Sequence, residues 1–318
     1  MVKIDLITGF LGSGKTTFLD RYARWWKARG TRICILENDY GAVNVDMMLL
    51  GHLEDSGCGL EMVSSGWDFD CHRRRFKTKL IAMAMQGYER VLVEPSGIFD
   101  VDEFFDALYE EPLDRWYEVG SVIAVVDAGL EDRLSPQSEY LLASETAKAG
   151  AVVLSKTQLC EPGEIRHTMD HLNRAMASAG CRRRFGDEVR TRPWDEYTDE
   201  DFAAIAAAGY VHESFRKLPI HEENRYESLY YMHYRAAPAE LEQRVRTLMG
   251  EDACGHVFRV KGFLPDGSGG WWEINSTRRS MTLKPIERGQ EIVIVIGEGL
   301  NRPAIDAVMG VPASGGSA

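Results

Sequence analysis

Near its start the chain reads Gly9-Phe10-Leu11-Gly12-Ser13-Gly14-Lys15-Thr16-Thr17, which satisfies the pattern G-x-x-x-x-G-K-[ST] in full. The apolar run Val2 to Ile7 before it reads as a buried strand. Phe18, Leu19, Tyr22, Trp25 and Trp26 after it recur at helical spacing. Strand, glycine loop and helix together build a phosphate cradle. The glycines let successive backbone N–H groups turn inward, and the helix N-terminus adds partial positive charge. Gly9, Gly12, Ser13, Gly14 and Thr17 then shape the cradle, Lys15 reaches the β- and γ-phosphates, and the Thr16 hydroxyl meets Mg²⁺. A chance glycine-rich turn ahead of a helix is the competing reading; pattern and context together weigh against it.

Further along, Thr31 to Leu36 reads as a second strand running into Glu37-Asn38-Asp39-Tyr40-Gly41 and, beyond, Asp46. Acidic residues leaving a strand beside a phosphate loop can meet Mg²⁺ or the attacking water, or can simply form a polar turn. A helix near Phe76 to Gln86 precedes the strand Arg90 to Val93, which ends in Glu94-Pro95-Ser96-Gly97. An apolar strand ending in an acid is a Walker B arrangement. Its carboxylate supports the magnesium shell, and Gly97 lets a backbone N–H approach the γ-phosphate. Helices near Val101–Tyr109, Ser138–Ala149 and Pro162–Ser178 alternate with strands at Ser121–Val126 and Ala151–Leu154. This alternation predicts an α/β fold with a doubly wound, mainly parallel sheet and nucleotide at the strands' C-terminal ends.

After Ser178 and through about Leu218 the chain reads as polar and irregular. Strands then recur near Ser228–Tyr234, Gly255–Phe263, Gly270–Ile274 and Ile292–Ile296, with helices near Ala237–Met249 and Arg302–Met309. The expected organisation is an NTPase domain over 1–218, a small α+β domain over 219–310 and a Gly/Ser/Ala-rich tail over 311–318. At 318 residues there is chain enough for two domains, and a composition 44% hydrophobic and 27% charged is ordinary for a globular protein. The formal net charge of −12 argues against a nucleic-acid surface. No apolar run reaches membrane-spanning length, and the first strand begins at once, so the reading is a cytoplasmic protein without membrane attachment. Cysteines 34, 58, 71, 160, 181 and 254 form no CxxC pair and read as free thiols.

Taken together, these motifs resemble the CobW family of P-loop GTPases, metal-handling relatives of the GTPases that insert nickel into urease and hydrogenase. The resemblance covers nearly the whole chain. Gly9–Thr17 is similar to the family's G-F-L-G-[SA]-G-K-T-T loop, Glu37–Gly41 with Asp46 to its N-E-F-G…D switch, and Glu94–Gly97 to its E-x-x-G. Arg259–Phe263 is similar to its R-x-K-G-F strand, and Ile292–Gly297 to its closing V-x-x-I-G strand. The resemblance implies a hydrolase in which Lys15 and the loop amides hold the phosphates and Thr16, Glu37 and Glu94 serve Mg²⁺ or position water. It also implies hydrolysis of GTP coupled to passing a metal ion to a client metalloprotein, with nucleotide-dependent homodimers as the expected assembly. With no arginine finger identifiable in cis, slow intrinsic turnover is expected.

Two segments depart from the family pattern. Where GTPases carry N-K-x-D, this chain has Ser155-Lys156-Thr157-Gln158. Lys156 can still stack on a purine, but Gln158 offers a neutral carbonyl in place of a carboxylate. Hydrogen bonds to a charged group contribute roughly 1.5–3 kcal/mol against about 1 for a neutral one. Guanine preference should therefore fall by roughly one or two orders of magnitude, and use of ATP stays open. Where the family has G-C-x-C-C, this chain has Ser65-Gly66-Trp67-Asp68-Phe69-Asp70-Cys71-His72. One reading is a mixed-donor Zn²⁺ or Co²⁺ site at Asp70, Cys71 and His72. The other is a metal-free switch in which Trp67 and Phe69 pack.

Among smaller features, Arg73–Arg75 and Arg182–Arg184 read as solvated faces, His167 and His171 as a surface helix face, and Trp25, Trp26, Trp271 and Trp272 as packing residues. Asp127 reads as either a supporting group at the nucleotide edge or a helix cap. Two other functions use the same loop: a small-molecule kinase, for which no arginine-rich lid beside an acceptor site is recognisable, and a nucleotide-dependent switch without metal transfer.

Overall fold

The computed structural model describes residues 1–38, 45–63, 69–97, 99–216 and 226–311, and of Val45, Phe69 and Asp70 the backbone alone. The expected tail from 312 onward, the join at 218 and the segments 39–44 and 64–68 lie outside the described residues. Two compact units divide the chain, Met1–Leu218 and Pro219–Ala318.

In the first unit, β1 (Val2–Thr8) leads through the glycine loop into α1 (Lys15–Ala28), followed by β2 (Ile33–Asn38), α2 (Val45–Leu50), β3 (Cys58–Val63) and α3 (Phe69–Met85). Then come β4 (Arg90–Pro95), α4 (Val101–Leu108), α5 (Leu113–Trp116), β5 (Tyr117–Asp127), α6 (Pro136–Ala147), β6 (Ala151–Ser155), α7 (Pro162–Ser178) and α8 (Asp199–Ala206). The strands form one six-stranded sheet in the order β3-β2-β4-β1-β5-β6, with every pairing parallel. Apolar residues line both faces. Ile4, Leu6, Val91, Val93 and Ala124 pack towards α3, α4, α6 and α7, whereas Ile7, Leu92, Ile123 and Val125 pack towards α1 and α8. A parallel sheet covered on both sides needs such uninterrupted apolar strands. Because β2 and β4 lie on one side of β1 and β5 and β6 on the other, the loop after β1 opens at the point where the winding reverses.

The second unit holds β7 (Tyr226–Met232), α9 (Pro238–Gly250), β8 (His256–Pro265), β9 (Trp271–Thr277), β10 (Met281–Ile286), β11 (Ile292–Glu298) and α10 (Arg302–Met309). Its sheet is antiparallel, in the order β10-β9-β8-β11-β7. Leu241, Val245 and Leu248 of α9 and Ile305 and Met309 of α10 cover one face through Val257, Val260, Ile274, Val293 and Val295.

Several elements differ from the sequence reading. α3 starts at Phe69 rather than near Phe76, so Cys71 and His72 belong to its first turns. The region read as irregular contains α8, capped by a reciprocal Thr198–Asp201 box. β3, α2, α5 and β10 were also not anticipated; the helices are too short to show a period, and β10 carries Pro285. Among the described residues, no helix is long and apolar enough to cross a membrane.

Candidate functional site

Glycine geometry sets the cradle. Gly9, Gly12 and Gly14 have φ of +146°, +75° and +96°, values that side chains beyond glycine rarely adopt. A Cβ on Gly9 would also stand 2.2 Å from the Val125 carbonyl oxygen of β5. Gly14 N-caps α1, and its carbonyl accepts from Phe18 N–H at 3.0 Å, so the first turn's amides face the loop. Lys15 is buried, and its Nζ donates to the Gly9 carbonyl at 2.7 Å, folded back across the mouth of the loop.

The acidic strand ends meet the loop directly. Thr16 Oγ1 donates to Glu94 Oε1 at 2.8 Å. Glu37 and Glu94 stand opposite one another in the β2–β4 register and are both buried. Gly97 passes so close to the loop that a Cβ there would lie 2.7 Å from Leu11 N. Thr16, Glu94 and Glu37 thus gather a hydroxyl and two carboxylates at one sheet edge, a donor set of hard oxygens that fits Mg²⁺.

On the other side of β1, Lys156 adopts φ +57° and extends Nζ to the Gly12 carbonyl (3.0 Å) and to Asp127 Oδ2 (2.6 Å). Asp127 therefore braces the loop that carries Lys156; α6 is capped by Ser135 instead. Ser155 and Thr157 are buried, while Gln158 is exposed in a 3₁₀ turn over Thr157–Leu159. Ser155 and Trp194 wall the start of α1, each 3.5 Å from where a Gly14 Cβ would be. Thr8 Oγ1, Ser13 Oγ, Asn38 Nδ2, Ser155 Oγ and Thr157 Oγ1 are all buried without a hydrogen-bond partner among the described residues. Buried polar atoms are ordinarily satisfied, so this concentration on and beside the loop marks a polar site built for an occupant.

Glu145 on α6 was not singled out from the sequence. It has no solvent exposure, and neither carboxylate oxygen has a hydrogen-bond partner among the described residues. Burial pushes its carboxyl well above the usual range; the nearby Lys15 charge opposes that shift and Asp100 adds to it. Little in the sequence marks it: Ser144 and Thr146 flank it, and only Leu141, Leu142, Ala143 and Ala147 around them are apolar.

The candidate transition-metal stretch is only partly described. His72 is buried with Nε2 2.7 Å from Asn38 Oδ1, which ties the start of α3 to the end of β2; Cys71 is half-buried. The side chain of Asp70 and all of Asp68 lie outside the described residues. Among the described residues no cluster of three or more His, Cys, Asp or Glu side chains is arranged to hold a metal.

Other expectations shift. His171 is not on a surface face: it is buried, with Nε2 2.6 Å from Glu139 Oε1 between α7 and α6, whereas His167 is exposed. Helical spacing placed both on one face, but i and i+4 differ enough in direction for α6 to cover only one. Arg183 is not a solvated charge either; it donates to the carbonyls of Thr146, Ala147 and Ala149 and closes the end of α6. Arg73 pairs with Glu110, alongside Lys77 at 2.8 Å.

Residues 3–180 match the model of the CobW/HypB/UreG nucleotide-binding domain. Among curated proteins the chain is similar to the zinc chaperone YjiA of Escherichia coli (strain K12), 27% identical over 174 residues that cover 52% of each chain. It is also similar to the zinc chaperone YeiR of the same organism, 28% identical over 163 residues, 51% of this chain and 48% of that one. The chain thus spans about half the length of the curated relatives it matches. Among solved structures, Zn(II)-bound YjiA GTPase from E. coli aligns over 97% of this chain and 98% of that chain, at 19% identity and a TM-score of 0.38.

Proposed function

The chain belongs to the CobW/HypB/UreG family through its nucleotide-binding domain, and from that premise we propose that it binds and hydrolyses a nucleoside triphosphate with Mg²⁺, GTP ahead of ATP, and uses the cycle to deliver a transition metal to a client metalloprotein in the cytoplasm. The observation that carries the hydrolytic part is the Thr16–Glu94 hydrogen bond at 2.8 Å, with Glu37 in register beside it and Lys15 folded over the loop. Thr16 with one of Glu94 and Glu37 would hold Mg²⁺, which neutralises charge on the β- and γ-oxygens when bound. Lys15 exchanges its Gly9 carbonyl for the phosphates, a charge-assisted bond replacing a weaker one. The carboxylate of Glu37 or Glu94 left free of the metal orients the attacking water, and Gly97 brings backbone against the loop without a side chain in the way.

Support for the metal-delivery part comes from the relatives' designations as zinc chaperones and from His72, which follows Cys71 in the first turns of α3 and meets Asn38 at the end of β2. Zn²⁺ or Co²⁺ would be cargo. Loss of stoichiometric binding in a Cys71→Ala, His72→Ala double variant is the expected result; unchanged binding removes that site. Nucleotide-dependent homodimerisation is part of the same proposal and is read by sedimentation with and without a non-hydrolysable analogue.

Lys156, braced by Asp127, would stack on the base, while Gln158 is exposed and supplies no carboxylate for the guanine N1–H and amine. The test is phosphate release with GTP and with ATP, each with and without Zn²⁺, Co²⁺ and Ni²⁺ and with no phosphoryl acceptor. Slow release is expected, with GTP preferred by less than the about 100-fold that a charged acceptor alone would give. Equal use of ATP rules out a guanine-specific enzyme. Release that requires an added acceptor favours the kinase reading.

A further inference from the structure

Away from the nucleotide cradle, the first unit carries a second concave site. A cavity of about 450 Å³ opens between α4, the end of α6 and the segment after α8. Its walls are aromatic: Phe105 and Tyr109 from α4 and its cap lie against Tyr210 and His212, with ring centroids 5.0 Å apart for Phe105–Tyr210 and 4.8 Å for Tyr210–His212. The neighbouring Tyr210 hydroxyl, together with burial, pushes the Tyr109 hydroxyl up to about 12. Backbone ties hold the two sides together, since Val211 N–H donates to the Lys148 carbonyl at 3.0 Å and Tyr210 bridges to Ala149. These walls are preformed, so an occupant would not have to order them.

Charge decides the kind of occupant. Lys148 is already neutralised by Asp102, and its Nζ lies 5.2 Å from the centre of the Phe105 ring, so one aromatic face here already accommodates an ammonium group. Two more carboxylates line the cavity, Asp106 and Glu213. Asp106 has no ion pair among the described residues, and Glu213 accepts a long 3.9 Å contact from the Cys181 thiol. Arg183, whose charge also reaches Glu213, is committed to three carbonyls at the end of α6. Aromatic faces with surplus carboxylates are the chemistry of cation recognition. The volume leaves ample room for one long side chain, and the net charge of −12 favours a basic partner.

We propose that this cavity receives the side chain of an arginine or lysine presented by a protein partner. The proposal does not rest on the hydrolytic reading, because none of the cavity's residues belongs to the cradle. It is tested on the full chain by NMR titration with the peptide acetyl-Gly-Arg-Gly-amide and its citrulline counterpart, which keeps shape and loses charge. The arginine peptide should shift the Tyr109 and Tyr210 resonances and bind about tenfold or more tightly than the citrulline peptide, matching a cation–π and carboxylate contribution of about 1.4 kcal/mol. Tyr109→Ala and Asp106→Asn, both at exposed positions, should each weaken binding by roughly the same factor while leaving nucleotide binding unchanged. Equal binding of the citrulline peptide, or binding unaffected by both variants, overturns the proposal. So does the absence of any shift up to tens of millimolar peptide, the weakest range in which one side chain still registers. Free arginine amide binding as well as the peptide overturns the assignment to a protein partner.

Discussion

At the scale of single residues, Lys15 and Glu145 are buried groups near enough for the Lys15 charge to act on the Glu145 carboxyl, a balance the nucleotide would change. With Lys15 donating to Gly9 and Glu145 fully enclosed, burial holds this carboxyl well above the usual carboxylate range, partly offset by Lys15. A group whose folded pKa is raised contributes stability that is fully present below the unfolded value and is lost as pH rises through the folded one. Glu145→Gln should therefore gain on the parent as pH increases above about 4.5, by up to about 1.4 kcal/mol per pH unit until the folded value is passed. Paired thermal melts between mildly acidic and mildly alkaline buffers read this, and a gap that stays constant with pH contradicts it. Lys15→Ala, by contrast, should lower hydrolysis by about 10²–10³-fold, the scale of losing one preorganised donor to transition-state charge, as measured by single-turnover phosphate release. Lys15 could be named from the motif alone. Glu145 could not, because nothing in its neighbours' types says that α6 is covered on every side.

At the scale of elements, a buried ionic network joins β1, β4, β5 and α1 beneath the sheet. Arg90 Nη1 lies 2.6 Å from both carboxylate oxygens of Asp5; Tyr22 Oη donates to Asp5 Oδ2 at 2.9 Å, and Ser121 N–H to Oδ1 at 2.8 Å. The guanidinium also sits 4.0 Å from the centre of the Trp26 ring. Burial raises the Asp5 carboxyl even against its partners, so the ionised form depends on all of them. Arg90→Ala would strand that carboxylate, and a loss of about 3–5 kcal/mol is expected in urea unfolding. A loss under about 1 kcal/mol, the range of an exposed pair, would show that the network contributes little. The strand–loop–helix core of this arrangement was legible because period and motif are local. The start of α3 was not, since its first turns sit in a stretch whose polar and aromatic residues carry no helical period.

At the scale of the whole molecule, the parallel sheet and its loops lie entirely within Met1–Leu218, and the family model matches 3–180. A chain ending at Leu218 is expected to keep nucleotide binding within about threefold of the full protein in fluorescent-analogue titrations, because every cradle residue belongs to this unit. A larger loss would mean that the second unit contributes to the cradle. The sequence by itself determined the phosphate loop, the acidic strand ends, the alternation of strands and helices and the existence of a second α+β region. Each of these is written in residues a few positions apart, where backbone freedom and periodicity act. It took the packed chain to set Glu37 opposite Glu94, to let Lys156 bridge Gly12 and Asp127, to bury His171 and tie Arg183 to the end of α6, and to bring four aromatic rings and two further carboxylates to one cavity. Those facts depend on strand order and on which helix covers which face. Burial and charge pairing across such distances are properties of the packed chain, and no local run of residues encodes them.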